Sequence, residues 1–372
     1  MRRIFCYFGI FTAFTMVVPT AVALRCLPGA ERQTVQIATQ AAATDTEETA
    51  AKAQKQETLL PTAAQKPCTA AETDDIKNDA DSAAPSEETH AQAADAAEPA
   101  TPFETVTVRH GEEILEMGLE EYVYRVTRAE VPASFSAQAL RACSVAVRSY
   151  TVYKLLHSTK EEHDGAVLCT NSRHCMAFST AEEAQDCPVR AACRETAGQV
   201  MCCGGEICQT FFFSMCGGYT ADSAHVFASS RAYLVPVCSP EGSGLQGFET
   251  KAEFTKQALA KALREKGYSV ADEEEEVSLV RDAQGYVLSF SFGELTLGGT
   301  AARLALGLRS SCFSMEQQGQ TLLFTVRGYG HGVGLSQWGA ELYARQGWDY
   351  EKILCHYYQS AALQPLASVL RS

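Results

Sequence analysis

The chain has 372 residues, 15 cysteines and a formal net charge of −14 at pH 7, enough sequence for one large domain or two smaller ones. Nine of the fourteen net negative charges fall between residues 29 and 102, where 5 Lys and Arg face 14 Asp and Glu, so the remainder is only mildly acidic. No basic run or patch is present, which argues against a nucleic-acid partner.

Residues 1–24 read as an export segment. Arg2 and Arg3 precede an uncharged apolar run from Ile4 to Leu24. Ala21-Val22-Ala23 has the small-residue character of a signal-peptidase site, yet the run also reaches the roughly 20 residues that a membrane span needs. Because the two arginines favour a cytoplasmic N-terminus, a retained membrane anchor is the first expectation and a cleaved signal peptide the alternative. In both cases the rest of the chain lies outside the cytoplasm. Residues 25–103 read as a disordered, acidic, Ala-rich linker: from Gly29 to Pro102 there is no aromatic side chain, and too little apolar surface to offset the entropy of ordering.

The folded part begins with a β-type pattern at Thr105 to Val108. A helix follows over Gly118 to Ala129, with Leu119, Tyr122, Val123 and Val126 at i, i+3, i+4, i+7 spacing. Glu130 lies eleven positions after Leu119, which at about 100° per residue returns it to the apolar stripe, and Pro132 stops the helix there. Desolvation and the negative end of the helix dipole both raise a carboxyl pKa, and a carboxyl that keeps its proton near neutral pH is what general acid catalysis requires. The plainer reading is a glutamate that turns to solvent or pairs with Arg125 or Arg128. A second helix is expected over Ala137 to Leu156, capped by Ser136, with Leu140, Cys143, Val147 and Tyr150 as its apolar stripe. Helix, proline turn and helix place Glu130 at an elbow. Arg141 and Arg148, seven residues apart, share a face from which they would orient Glu130 or bind substrate; a solvated face is the alternative.

His163, Cys169 and Cys175 recur at six-residue intervals, with His174 as a rival ligand. This is not a standard zinc-finger spacing, and disulfides are the default for exported cysteines. Cys187, Cys193, Cys202, Cys203 and Cys208 form a second cluster whose spacing does not decide between disulfides and metal. Further strands are expected at Gln209 to Phe213, Val277 to Val280, Tyr286 to Ser291 and Leu322 to Val326. Further helices are expected at Ala181 to Thr196, Lys251 to Lys266, Gln337 to Gln346 and Tyr350 to Tyr358. The absence of strict alternation favours an α+β fold, with residues 241–291 as a smaller lobe bordering the cleft.

The most distinctive stretch runs from Gly328 to Ala340. Glycines at 328, 330, 332 and 334 permit a tight backbone and close approach to a ligand. His331, Ser336, Gln337 and Trp338 arrive with them, and hydrogen-bonding groups beside an indole suit a carbohydrate cleft. The alternative is a structural turn whose histidine braces its own backbone.

Taken together, the chain resembles the SpoIID/LytB family, the stage II sporulation protein D group. The blocks that carry the resemblance are Leu119-Glu120-Glu121-Tyr122-Val123; Ala129-Glu130-Val131-Pro132-Ala133-Ser134-Phe135; Ala139-Leu140-Arg141-Ala142 through Arg148-Ser149-Tyr150; Phe213-Ser214-Met215-Cys216-Gly217-Gly218-Tyr219-Thr220; Gly330-His331-Gly332-Val333-Gly334-Leu335-Ser336-Gln337; and Tyr350-Glu351-Lys352-Ile353-Leu354-Cys355-His356-Tyr357-Tyr358. The resemblance covers roughly Glu104 to Ala361, and residues 104–372 are expected to form a single catalytic domain. Cys143 stands where the family usually has Gln, and Cys216 where Ser is common.

The resemblance implies a lytic transglycosylase that cuts peptidoglycan glycan strands, preferably stripped of peptide, between N-acetylmuramic acid and N-acetylglucosamine and leaves 1,6-anhydro ends during endospore formation. It implies Glu130 as the single acid and base. Ser214, His331, Ser336 and Gln337 would bind sugar, and Trp338 or Tyr329 would stack on it. In the clostridial branch it implies a zinc ion held by one His and two Cys, here His163, Cys169 and Cys175, with an open position. Other cell-wall hydrolases and sporulation membrane proteins are the implied partners. Two rival readings are a non-catalytic glycan-binding modifier of a cell-wall amidase, and a zinc hydrolase that cleaves amide bonds.

Overall fold

In a computed structural model of the chain, the described residues are Phe103, 105–172, 174–181, 187–227, 230–270 and 275–371. The leader expected at 1–24 and the linker expected at 25–103, Phe103 apart, lie outside them. No described helix is long and apolar enough to cross a membrane. Helices and strands are mixed, and the strands form five small sheets of two or three strands each.

The first core gathers around the helix Ala137–His157. Periodicity predicts a single apolar stripe on this helix, but it is buried almost all round. Ala139, Ala142, Ser144, Ala146 and Ser149 are small enough for neighbours to approach every face, the pattern of a central helix. Its hydroxyls return to carbonyls one turn back, Ser144 to Leu140 at 2.8 Å and Ser149 to Val145 at 2.7 Å, so the burial leaves no orphaned donor. Packed on it are the helices Leu119–Glu130, Pro188–Glu195, Gln337–Arg345 and Tyr350–Tyr357.

Arg148 corrects the expectation of a substrate-facing residue. Its side chain is 0 % exposed and makes a two-pronged ion pair with Glu120, at 2.8 Å from Nε and 2.6 Å from Nη2. Further hydrogen bonds run to the carbonyls of Cys193 and Gln199. Sharing a helical face says nothing about what covers that face, and here the neighbouring helices do. Arg141 pairs with Glu195 at 2.5 Å. Neither arginine lines the cleft described below.

The second core is built from residues 249–327 and is larger than the lobe expected at 241–291. Strand Thr321–Arg327 pairs antiparallel with both Phe313–Gln318 and Glu249–Thr255. A second sheet orders Leu295–Gly298, Val287–Phe292 and Val277–Arg281, and the helices Lys256–Glu265 and Gly299–Leu306 complete the lobe. The helix expected over Lys251 to Lys266 therefore starts only at Lys256. The side-chain hydroxyl of Thr255 caps it by accepting from the Ala258 N–H at 3.1 Å, while the preceding residues are drawn into a strand by a partner some seventy positions away.

Removing one partner of a buried pair strands the other, so Arg148→Ala is expected to lower the unfolding free energy by roughly 3 kcal/mol in urea titration. A loss well under 1 kcal/mol would show that the buried guanidinium does not hold these helices together.

Candidate functional site

Glu130 is the last residue of the helix Leu119–Glu130, and Val131 closes that helix by donating its N–H to the Thr127 carbonyl at 2.9 Å. The turn through Pro132 then leads into the central helix. The expected cap, Ser136, sits at that helix's N-terminus, where its carbonyl accepts from the Leu140 N–H at 3.0 Å but its side chain makes no cap bond to the helix. Its N–H and hydroxyl both go instead to the buried carboxylate of Glu341, the N–H at 2.7 Å. Arg345 also donates to Glu341, at 2.7 Å. The elbow is thereby tied to the helix Gln337–Arg345, some two hundred residues further on.

The Glu130 carboxyl is half-buried. It accepts the backbone N–H of Ala177 at 2.6 Å and a hydrogen bond from the Gln337 side chain. Burial pushes its pKa above the ordinary glutamate range, and these two donors oppose that shift without cancelling it.

Gln337 is delivered by the glycine loop. Gly328, Gly330, Gly332 and Gly334 all have positive φ, at 76°, 120°, 86° and 78°. A Cβ on Gly330 would come within 2.7 Å of the Phe213 Cβ, and one on Gly334 would collide with the Phe211 carbonyl. The loop packs this closely because strand Leu335–Ser336 pairs parallel with Phe212–Phe213. His331 lines the cleft, but both ring nitrogens are engaged with backbone: Nε2 donates to the Phe212 carbonyl at 3.0 Å, and Nδ1 accepts from the Val333 N–H at 3.1 Å. Those partners fix the neutral tautomer, and burial lowers the pKa to about 4. His331 is thus a brace, as the plainer reading of the loop held, rather than a hydrogen-bonding ligand for sugar.

Ser336 is likewise corrected. It is fully buried, caps the helix Gln337–Arg345 by accepting from the Gly339 N–H at 3.3 Å, and donates to the buried carboxylate of Glu241. Glu241 also accepts from the Cys216 N–H at 2.9 Å and from Ser239 at 2.6 Å, and the Ser239 hydroxyl meets that of Tyr357 at 2.6 Å. Trp338 packs edge-on against Phe135, with ring centroids 5.0 Å apart, and does not line the cleft. Ser214 and Gln337 do line it. Cys143 and Cys216, the two departures from the family pattern, are both buried outside it.

The cleft has two connected parts that share Glu130, Ser172, Phe212 and His331. One, of about 310 Å³, is walled by Tyr150, Phe211, Phe227, His174 and Cys175. The other, of about 1200 Å³, lies between the two cores and adds Ser214, Gln337, Lys266, Tyr268, Arg303 and Tyr329. Tyr329 is 47 % exposed, with the Arg309 guanidinium 4.5 Å above its ring. Among the described lining residues Glu130 is the only carboxylate. Lys266, Tyr268 and Arg303 carry no sequence signal, because only the packing of the second lobe brings a helix end, a residue beyond it and a helix face to the cleft.

His163, Cys169 and Cys175 come together, and His174 joins them instead of competing: the four ligand atoms lie within 4.8 Å of one another. His163 Nε2 is 2.9 Å from His174 Nδ1 and 3.3 Å from the Cys175 sulfur, and the His174 nitrogen is 3.6 Å from each sulfur. A tetrahedral zinc site with Zn–N of about 2.0 Å and Zn–S of about 2.3 Å has edges of about 3.3–3.8 Å; the His and Cys donor set suits that ion, and the separations of 2.9 to 4.8 Å bracket those edges. A tight turn, in which the N–H groups of His174 and Cys175 both donate to the Asn171 carbonyl, brings two neighbouring side chains to one point. Eleven described cysteines are free thiols, Cys187, Cys193, Cys202, Cys203 and Cys208 among them, against the disulfide default. Cys238 is disulfide-bonded.

Comparison with known proteins bears on the same region. The family described as SpoIID, stage II sporulation protein, matches residues 109–202, a span that holds Glu130, Ala177 and all four clustered His and Cys ligands. The chain is similar to stage II sporulation protein D of Bacillus subtilis, 27 % identical over 256 residues that cover 66 % of this chain and 74 % of that protein. It is similar to the same protein of Bacillus amyloliquefaciens, 27 % identical over 263 residues that cover 68 % and 76 %. A more distant relative is the amidase enhancer of Bacillus subtilis, 23 % identical over 286 residues that cover 63 % of this chain and 39 % of that protein. The elbow glutamate and the clustered His and Cys residues thus lie within the stretch that matches the SpoIID family, and the chain is similar to stage II sporulation protein D over about two thirds of its length.

Proposed function

We propose that the protein is a lytic transglycosylase that cleaves peptidoglycan glycan strands between N-acetylmuramic acid and N-acetylglucosamine, with Glu130 as the one acid and base. The observation that carries this reading is that Glu130 is the only carboxyl among the described residues lining the cleft. Glycosidases that activate water or form a glycosyl-enzyme use two carboxyl groups at set separations. A cleft whose described lining offers one, half-buried and with a raised pKa, suits a reaction whose nucleophile belongs to the substrate.

Glu130 would give its proton to the glycosidic oxygen as the C1–O bond breaks, releasing the N-acetylglucosamine C4 hydroxyl. The C6 hydroxyl oxygen of N-acetylmuramic acid then bonds to C1, and its proton returns to Glu130. The atoms balance without water, and the acid is regenerated. The Ala177 N–H and the Gln337 side chain hold the carboxyl and steady its ionised form between the two transfers. Tyr329 offers a ring for a pyranose face, and Ser214 a hydroxyl to the sugar.

His163, Cys169, His174 and Cys175 would hold a zinc ion that cross-links the loop before Ala177. Four protein donors fill a tetrahedron and leave no place for an activated water, which disfavours the zinc amide hydrolase. Since Ala177 lies two residues beyond Cys175, the cluster keeps the N–H aimed at Glu130. Export by the segment 1–24, as an anchor or a cleaved signal, would bring the domain to the cell wall. The similarity to an amidase enhancer favours a second reading, in which the same cleft holds glycan and stimulates a partner amidase without turnover.

With peptide-free glycan strands, mass spectrometry should find 1,6-anhydro products. Glu130→Gln should slow their formation by at least about 100-fold, the usual contribution of a general acid, while its thermal melt stays close to wild type. Equal product from the variant, or glycan binding with amidase stimulation and no anhydro ends, would overturn the enzyme reading.

A metal count on protein produced in zinc-replete medium should give one equivalent of zinc. Cys169→Ser should lose that zinc and melt at lower temperature. Purified wild type without zinc would contradict the assignment.

A further inference from the structure

We infer that Arg303, supported by Lys266, is the subsite that reads the free lactyl carboxylate of N-acetylmuramic acid, and so sets the preference between peptide-free and peptide-bearing strands. This rests on the glycan reading above and adds the residue that discriminates.

Arg303 projects from the helix Gly299–Leu306 into the large part of the cleft, and Lys266 closes the end of the neighbouring helix Lys256–Glu265 on the same lobe. Arg303 is half-buried. Its Nε donates to the Arg309 carbonyl at 3.1 Å, and among the described residues no carboxylate pairs with its guanidinium. The cation is therefore partly desolvated and uncompensated: burial pushes its pKa down, opposed by the neighbouring Tyr329. Arg303 lines the same large part of the cleft as His331 and Glu130, and its charge reaches His331. A partly buried cation without a counter-ion is costly unless a ligand supplies the anion, and a planar guanidinium matches a carboxylate with two parallel hydrogen bonds.

The chemistry of the substrate then narrows what that anion is. An alternating strand of N-acetylglucosamine and N-acetylmuramic acid is neutral except at the lactyl group. That carboxyl is ionised when no peptide is attached, and becomes a neutral amide when the peptide stem is present. A guanidinium at this point, supported by the Lys266 ammonium, therefore favours the stripped strand, whereas the tyrosines, Ser214 and Gln337 of the described lining are indifferent to the change.

The test compares peptide-free strands with the same strands after their lactyl carboxyls have been converted to methylamides. Binding is measured on the full chain carrying Glu130→Gln, so that no turnover is needed. The starting protein should favour the carboxylate form by about tenfold, the scale of one charge-assisted hydrogen-bonded contact. Adding Arg303→Gln should bring that ratio close to one, Arg303→Lys should retain part of it, and Lys266→Gln, at an exposed position, should lower it less than Arg303→Gln does. A starting ratio near one, or a ratio that survives Arg303→Gln, would overturn the inference and leave the glycan reading standing. Failure to bind either form would instead overturn the glycan reading and this inference with it.

Discussion

Three distant stretches of the chain meet at one carboxyl group. Glu130 comes from the end of an early helix, the N–H that it accepts at 2.6 Å comes from Ala177 beyond the His and Cys cluster, and its side-chain partner Gln337 comes from the far end of the glycine loop. A half-buried carboxyl with two donors is held in one orientation, yet burial still raises its pKa above the ordinary glutamate range. Positioning and acidity thus follow from the same contacts, and a shift in any of the three segments would change both.

The surrounding frame keeps those segments in place through buried acids that have no part in the chemistry. Glu341 fastens the start of the central helix to the helix that begins at Gln337. Glu241 gathers the Cys216 N–H and the hydroxyls of Ser239 and Ser336 beneath the glycine loop. Glu120 and Arg148 lock the first helical pair against its neighbours. Buried polar networks of this kind are costly when half satisfied and rigid when complete. Under the proposed glycan reading, a cleft for a long, flexible sugar chain gains from such a rigid floor.

Much of this was legible in the sequence, but unevenly. Helical spacing placed Glu130 on a buried stripe, and the alternating glycines marked a loop that no side chain would fit. The regular intervals of His163, Cys169 and Cys175 marked a cluster, with His174 left as an alternative because spacing cannot tell that a turn at Asn171 brings adjacent side chains together. Arg148, Ser336 and Trp338 were read toward substrate, since periodicity gives the face of an element but not what packs on it. The strand at Glu249–Thr255 looked helical because its local preferences yield to a partner strand far along the chain. The Ala177 N–H had no signal at all, for a backbone donor is independent of the side chain that carries it.

The proton on Glu130 is the quantity on which the account turns, and NMR can follow it directly. In protein with carbon-13-labelled glutamate side chains, the resonance that disappears in Glu130→Gln should titrate at a pH above the ordinary glutamate range, and bound glycan should shift that titration. A titration within or below the ordinary range, in the free protein and in the complex alike, would mean that Glu130 is already ionised when substrate arrives and has no proton to give.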